Sequence, residues 1–316
     1  MRKYIALSLL LWLLAVLVGC REDAPVQERC VSFSNATTRA ALSTLFDNFT
    51  VWASTVSGGS RASLMEGYRV NHVAPGGWTY TEGDGTNGQE LQYWSYSFDS
   101  YRFHAGAPAS RVTGTESSLT LDVTSSTSLS ETTLYSDPYV VRTTDPAFGS
   151  TVSLKFNYAN ARINLAFKYA SAVEVSITDI QLVPPAALAT AATLAVSYNW
   201  VLPSVKTGTP GITATSAAPL PFANVTVPAD SGDAVETSTP HYVIADPASK
   251  GQWTLKVKVN GTDKQTTFSL SKAWEPGKSY LYRFAYTDEA NLVFEGTETE
   301  LFTGENPVDG GNHNFS

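Results

Sequence analysis

The stretch "WTLKVKVNGTDKQTTFSL", Trp253 to Leu270, has the pattern of two β-strands joined by a tight turn. From Trp253 to Val259 apolar side chains alternate with polar ones, which places the apolar side chains on one face of a sheet and the lysines on the other. Asn260-Gly261 then supplies the positive backbone angles of a tight turn, and Thr266 to Leu270 returns. We therefore predict a β-hairpin here.

The same alternation with a period of two residues recurs along most of the chain. Its apolar sets are Phe49, Val51 and Ala53; Leu119, Leu121 and Val123; Val152, Leu154, Phe156 and Tyr158; Ile163, Leu165, Phe167 and Tyr169; Val173, Val175 and Ile177; and Tyr280, Tyr282, Phe284 and Tyr286. Short helices are predicted only at Ala36 to Asp47 and Ala186 to Leu194. The chain is thus predicted to be all-β, and its length favours two sandwiches with a boundary near Asp145 to Gly149.

Composition agrees with a secreted all-β protein. The 316 residues include 15 Tyr, 7 Trp, 16 Pro and 22 Gly, and charged residues make up only 16% of the chain. The net charge of −8 argues against binding to nucleic acid or to an anionic lipid surface.

The amino terminus has the layout of a bacterial lipoprotein signal. Met1-Arg2-Lys3 is basic, an apolar run extends from Ile5 to Val18, and Leu17-Val18-Gly19-Cys20 matches a lipobox. We predict that residues 1–19 are a signal peptide and that Cys20 carries the lipid; the alternative is an ordinary apolar helix that meets a cysteine. Cys30 is then without a disulfide partner, and we interpret it as a small strand hydrophobe rather than a reactive thiol.

Motifs for catalysis or metal binding are missing from the sequence. The four histidines have no metal-ligand spacing, and no nucleophile elbow, P-loop or dinucleotide fingerprint occurs. Two acidic loops, 82–87 and 305–314, lack EF-hand spacing and are interpreted as solvated turns rather than calcium sites. We predict no enzyme activity, no cofactor and no metal.

One aromatic run has two interpretations. "YWSYSFDSYRF", Tyr93 to Phe103, places Trp94, Tyr96 and Phe98 in one phase and Tyr101 with Phe103 in another. The run could be a core-facing strand bent at Asp99-Ser100, which we favour, or a platform on which sugars stack.

The segment "RCVSFSNATTRAAL", Arg29 to Leu42, raises the question of function. Val31 and Phe33 alternate with serines, as in a half-buried strand, and a polar stretch that contains Arg39 follows. This strand is either simply the first of the fold or one that is meant to be removed.

Several stretches, taken in order, resemble the fimbrillin family, the Mfa-like lipoproteins that build type V pili. They are the lipobox with a leader ending in "TTRA", "FDNFTVWAS", "GGWTY", "YWSYSFDSYRFHAGAP", "VSLKFNYANARINLAFKY" and "AWEPGKSYLYRF". The resemblance covers most of the chain after the signal, and it depends on the order of these core and turn patterns.

The resemblance implies two consecutive transthyretin-like, Greek-key β-sandwich domains, 40–148 and 149–316. It also implies an outer-membrane lipoprotein precursor, held by the lipid on Cys20, that a trypsin-like protease cuts after an arginine. Arg39, followed by Ala40, fits that cut site, since it lies in a polar stretch. The leader, 20–39, would then carry a removable strand, formed by Cys30, Val31, Ser32 and Phe33.

Loss of that strand would open an apolar groove that a strand of another pilus subunit fills. The candidate donor is the tail, 290–316, with Leu292, Val293, Phe294, Leu301 and Phe302. Alternatively, Leu292 to Phe294 is the last strand of its own sandwich. The function implied is a structural or tip subunit of a cell-surface pilus that serves adhesion; the alternative is a non-polymerising surface lipoprotein that binds glycans or host proteins.

Overall fold

A computed structural model describes residues 29–34, 46–73, 77–80, 89–169, 173–229, 232–287 and 291–302. These residues are almost entirely β-structure, as predicted. Their helices are three single 3₁₀ turns, at Ala109–Arg111, Leu129–Glu131 and Pro247–Ser249. The strands are β1 (Phe33–Ser34), β2 (Asn48–Ser57), β3 (Ser60–Val73), β4 (Gly77–Thr79), β5 (Ser100–Ala107), β6 (Val112–Thr115), β7 (Ser118–Thr124), β8 (Leu134–Asp137), β9 (Tyr139–Arg142), β10 (Val152–Ser153), β11 (Lys155–Tyr158), β12 (Ala161–Lys168), β13 (Val175–Val183), β14 (Leu188–Asn199), β15 (Ser204–Thr207), β16 (Gly211–Ser216), β17 (Leu220–Pro221), β18 (Val225–Val227), β19 (Val235–Glu236), β20 (His241–Val243), β21 (Gly251–Val259), β22 (Thr262–Leu270), β23 (Lys278–Tyr286) and β24 (Leu292–Leu301).

In the described part of the chain these strands form four sheets. Sheet A has the order β10-β1-β4-β3-β2-β5-β8-β11, with β9 also paired to β5. Sheet B has the order β15-β14-β7-β6, with β16 on β14. Sheet C runs β19-β12-β23-β24 with β20 on β12, and sheet D runs β17-β13-β21-β22 with β18 on β13.

Apolar side chains of these sheets collect in three cores among the described residues. The first core lies on one face of sheet A and includes Phe33, Phe49 and Phe103. The second lies between sheets C and D, and the third joins sheet B to the opposite face of sheet A through residues such as Trp52 and Leu121. Both faces of the long strands of sheet A are thus covered over part of their length.

Sheet B takes strands from both sides of the predicted boundary at 148/149. β7 pairs with β14 over seven register positions, from Ala191↔Thr124 to Ser197↔Ser118. The division into two Greek-key domains stays a prediction, because this shared sheet links the two halves of the chain.

The hairpin predicted at Asn260-Gly261 is present. β21 and β22 pair from Gly251↔Leu270 to Val259↔Thr262, and Asn260 and Gly261 have φ angles of 47° and 80°. Trp253, with the apolar residues that alternate after it, is buried in the second core. The Asn-Gly pair fits because these two residues tolerate positive φ at little steric cost.

The helix predicted at Ala186 to Leu194 is wrong. This segment enters β14, which pairs with β7 on one side and with β15 and β16 on the other. Its alanines favour a helix locally, but Leu194, Val196 and Tyr198 alternate onto the third core. Tertiary pairing therefore overrides the local preference. The other predicted helix, Ala36 to Asp47, lies outside the described residues except for Phe46 and Asp47.

The aromatic run is divided between core and surface. Trp94, Tyr101 and Phe103 are buried in the first core, whereas Tyr96 is 54% exposed. The expected common face of Trp94, Tyr96 and Phe98 is wrong, since strand β5 begins only at Ser100 and the preceding residues turn.

Candidate functional site

The amino-terminal strand that the sequence singles out lies inside sheet A. β1 pairs antiparallel with β4, at Phe33↔Trp78, and parallel with β10, at Phe33↔Val152 and Ser34↔Ser153. Just before it, Cys30 forms an antiparallel bridge with Tyr93. The segment 29–34 is therefore flanked by chain on both sides and is not an exposed edge.

Backbone hydrogen bonds hold this segment along its length. The Val31 N–H donates to the Gln92 carbonyl at 2.7 Å, and the Trp94 N–H donates to the Arg29 carbonyl at 3.0 Å. On the opposite side, the Val152 N–H donates to the Ser32 carbonyl at 2.7 Å. Two separate parts of the chain thus depend on the segment for their ladder partners.

The side chains of Val31 and Phe33 fill the first core. Val31 is 0% and Phe33 4% exposed. The Phe33 ring meets Phe49, Tyr80 and Phe103 with centroid distances of 5.8, 6.1 and 6.1 Å, close to edge-on. This geometry is favourable for aromatic rings and adds to the free energy of burial.

Tyr80 is the polar anchor of the segment. Its hydroxyl donates to the Val31 carbonyl at 2.9 Å. The Tyr80 hydroxyl oxygen in turn accepts the Gln92 N–H at 3.3 Å. At the other border the Ser32 and Thr151 hydroxyls are 3.1 Å apart. In the sequence Tyr80 is recognisable only as part of "GGWTY", and its role here is not predictable because 49 residues separate it from Val31.

A chain without residues 29–34 would have a defined groove at this place. Its floor would consist of Phe49, Tyr80 and Phe103, and its walls would present the amides of Trp94 and Val152. Unpaired backbone groups beside apolar side chains are the features that accept an added strand.

A family model described as fimbrillin-like matches residues 37–300. The chain belongs to the fimbrillin-like family. The match begins after β1 and ends at the next-to-last residue of β24, so this family assignment is independent of the segment 29–34. No protein with a curated description matches the chain.

A solved structure of a fimbrial protein shares the fold, and two further solved structures are less similar. A fimbrial protein from Bacteroides vulgatus superposes with a TM-score of 0.55 at 15% identity, covering 86% of this chain and 99% of that one. A candidate cell adhesion protein from Bacteroides uniformis gives a TM-score of 0.49 at 16% identity, with 86% and 98% covered. A fimbrial assembly protein from Parabacteroides distasonis gives 0.38 at 14% identity, with 86% and 97% covered. The first of these likenesses supports the fold of this fimbrillin-like chain.

Four of the five residues of the predicted donor strand, Leu292, Val293, Phe294 and Leu301, lie in sheet C of this fimbrillin-like chain. β24 pairs antiparallel with β23 from Leu292↔Tyr286 to Leu301↔Lys278, with Val293 opposite Ala285 and Phe294 opposite Phe284. Leu292 to Phe294 therefore has the alternative arrangement, in which it belongs to its own sheet.

Phe302 continues from β24 into the first core. Its N–H donates to the Gly277 carbonyl at 2.8 Å, and its ring stacks on Tyr158 at a centroid distance of 3.9 Å. The end of the described tail thus contacts the core that β1 also fills.

Several predicted sites lie outside the described residues. They are Cys20, the cleavage pair Arg39 and Ala40, and the acidic loops 82–87 and 305–314. Cys30 is described, and its thiol is free and half-buried. No group of three or more His, Cys, Asp or Glu that could hold a metal occurs in the described ranges. Nor does that part of the chain contain a helix with the length and apolar character required to cross a membrane.

His104 is a buried titratable group that sequence analysis did not single out. Its ring packs on Trp52 and Tyr198, at centroid distances of 5.8 and 4.2 Å, between sheets A and B. Burial lowers its pKa to about 3, although a hydrogen bond between Nε2 and the Thr115 carbonyl at 3.1 Å opposes the shift. The imidazole is therefore neutral at physiological pH and acts as a packing element.

Proposed function

We propose that this fimbrillin-like chain is a structural or tip subunit of a type V surface pilus that serves adhesion. It is made as an outer-membrane lipoprotein precursor, cleaved after Arg39 and assembled by donor-strand exchange. The observation that carries the proposal is the segment 29–34, which fills the first core with Val31 and Phe33 from within sheet A. Family membership and the fold shared with a fimbrial protein support it.

The order of features along the chain explains why one cut would trigger assembly. The lipidated Cys20 and the strand Cys30, Val31, Ser32 and Phe33 both precede Arg39. Hydrolysis between Arg39 and Ala40 would therefore detach the rest of the chain from the membrane lipid and from the strand that occupies its groove. The intact precursor has a closed groove and stays monomeric.

The leader strand stabilises the groove less than a longer donor strand would. It buries two large apolar side chains, Val31 and Phe33, which contribute about 3–6 kcal/mol at about 1.5–3 kcal/mol each. A donor strand that buries four alternating apolar residues would contribute about 6–12 kcal/mol. Once the leader is no longer tethered by the chain, such a donor displaces it and joins two subunits without a covalent bond.

We propose that the donor comes from the tail, 290–316, of a second subunit. If Leu292, Val293, Phe294, Leu301 and Phe302 donate, β24 has to separate from β23 first. β24 is the edge strand of sheet C, so its departure leaves the rest of that sheet paired. The partners are then other pilus subunits and, before assembly, the arginine protease and the outer membrane.

A structural role rather than catalysis fits the family, and the net charge of −8 argues against nucleic acid as a partner. The pilus would display the chain at the cell surface.

Limited digestion with trypsin tests the proposal. The full chain is expected to lose the segment that ends at Arg39 and then to form ladders that resist detergent. Arg39→Gln should prevent both changes, whereas the matched variant Arg29→Gln, which keeps the predicted cut site, should not. A chain that is cut at Arg39 and remains monomeric under all conditions would refute assembly by strand exchange.

A further inference from the structure

A cavity of about 290 Å³ lies on sheet A, away from the strand groove. It is bordered by β5 and β9 and by the turn that joins β14 to β15. Tyr101 and Phe103 of β5 point into the first core, so Arg102 between them faces the opposite side, toward this cavity.

Two arginines line the cavity from neighbouring strands. β5 pairs with β9 at Arg102↔Val140 and Ser100↔Arg142, so both arginines lie on the same face, in diagonal positions. Diagonal neighbours of this kind are about 7–8 Å apart at their backbones, within the joint reach of two guanidinium groups.

Neither arginine has a carboxylate partner among the described residues. The ion pairs in that part of the chain involve Arg61, Lys168, Lys258 and Arg283 instead. The Nε of Arg102 is enclosed without a hydrogen-bond partner there. Burial lowers the pKa of Arg102, and the charges of Arg61 and Arg142 lower it further, which indicates excess positive charge at this place. Arg61 is itself neutralised by its ion pair with Glu116, so within the described chain the charges without a partner at this place are those of Arg102 and Arg142.

The remaining lining combines a carboxylate with apolar groups. Asp99 lines the cavity, and one of its oxygens accepts the Gly58 N–H at 2.7 Å. Val140, Val201 and Pro203 supply apolar surface, and Val201 is 84% exposed at the tip of the turn. A ligand that fits this lining has an anionic group, hydroxyl donors and a C–H surface.

We propose that this cavity binds an acidic sugar, whose carboxylate Arg102 and Arg142 hold and whose hydroxyl groups donate to Asp99. A bare anion would gain from the arginines but would be repelled by Asp99. An acidic protein segment would need an open sheet edge or a long groove, whereas the cavity lies on a sheet face and holds little more than one sugar ring. The site goes beyond the proposed pilus assembly, and it does not depend on strand exchange.

Titration of the uncleaved full chain tests this site, so the result is separate from the test of assembly. The probes are sodium glucuronate and N-acetylneuraminate, with glucose, sodium acetate and a short glutamate-rich peptide for comparison, followed by calorimetry and saturation-transfer NMR. The two sugar acids are expected to bind, whereas glucose is expected to show no binding. Arg102→Gln and Arg142→Gln should each weaken binding by about tenfold or more, since each removes a charge-assisted hydrogen bond.

Lys272→Gln is the matched control, because it removes one exposed positive charge elsewhere and should leave binding unchanged. Arg142 is exposed, so its variant is expected to unfold at the same temperature as the parent chain even if Arg102→Gln does not. The proposal is overturned if no sugar acid binds, if acetate competes as well as glucuronate, if only the peptide binds, or if Arg142→Gln binds the sugar acids as tightly as the parent.

Discussion

Replacing Phe33 with alanine should loosen the amino-terminal strand while leaving it in the chain. The Phe33 ring is 4% exposed and packs among Phe49, Tyr80 and Phe103. Truncation of a buried phenylalanine to alanine costs about 3–5 kcal/mol. Because the second and third cores do not contain Phe33, we expect this cost to fall on the docking of residues 29–34 rather than on global folding.

Amide hydrogen exchange measures this docking directly. The Trp94 N–H bonds to the Arg29 carbonyl and the Val152 N–H to the Ser32 carbonyl, so both amides are protected only while the segment is docked. A loss of about 3 kcal/mol corresponds to roughly a hundredfold faster exchange at these two amides, at about 1.4 kcal/mol per factor of ten. Amides of β21, in sheet D, should be unaffected.

The exposed neighbour Ser34 provides the matched control. Ser34→Ala removes no buried surface and should leave exchange at Trp94 and Val152 within about twofold of the parent chain, as expected for an exposed substitution. The reasoning is refuted if Phe33→Ala also leaves both amides protected, because the strand would then be held by something other than its side chains.

Three further predictions concern other parts of the fold. Burial keeps His104 neutral, with a pKa of about 3 in the folded chain against about 6.5 when unfolded. Its contribution to the free energy of unfolding is therefore complete above pH 6.5 and is lost as the pH falls below that value. Urea denaturation should therefore show that the free energy of unfolding falls between pH 7.5 and pH 4.5 by about 2–3 kcal/mol less in His104→Phe than in the parent chain. An equal fall in the two chains would contradict this account. In a chain with its native cysteines replaced by serine, the pair Lys278→Cys and Leu301→Cys, which are register partners, should form a disulfide between β23 and β24. If β24 donates, the oxidised form is cleaved but does not polymerise until it is reduced, and polymerisation of the oxidised form would exclude β24 as the donor. A Cβ at Gly106 would lie 2.6 Å from Val112 Cγ1, so Gly106→Ala should lower the free energy of unfolding by about 1–3 kcal/mol in thermal or urea denaturation, and an unchanged value would show that the site can relax.

The sequence predicted those strands in which alternation and burial coincide. Leu119, Leu121 and Val123 are buried and the two residues between them are exposed, so the period of two is visible in the sequence. In β12 both faces are buried, yet Ile163, Leu165 and Phe167 still show the period, since Arg162 and Asn164 find polar partners. The Asn-Gly turn is equally local, because two residues determine its geometry.

Pairing between distant segments could not be predicted. Nothing near Ala189 or Ala192 indicates that β7, about seventy residues earlier, is the neighbouring strand. The strand groove shows the same limitation. Val31 and Phe33 were recognised as a half-buried strand, but Tyr80, Gln92 and Val152, which border it, come from three separate parts of the chain. Arg102 and Arg142 are 40 positions apart and become neighbours only through the β5–β9 register.

The ladder between β7 and β14 has a mechanical consequence for a subunit held in a fibre. Its seven register positions join residues 118–124 to residues 191–197, which belong to opposite halves of the chain. Tension that pulls the two halves apart along the strand direction would strain these pairs simultaneously, in shear, rather than opening them one after another. A chain built in this way resists stretching by flow better than two sandwiches connected only by a linker would.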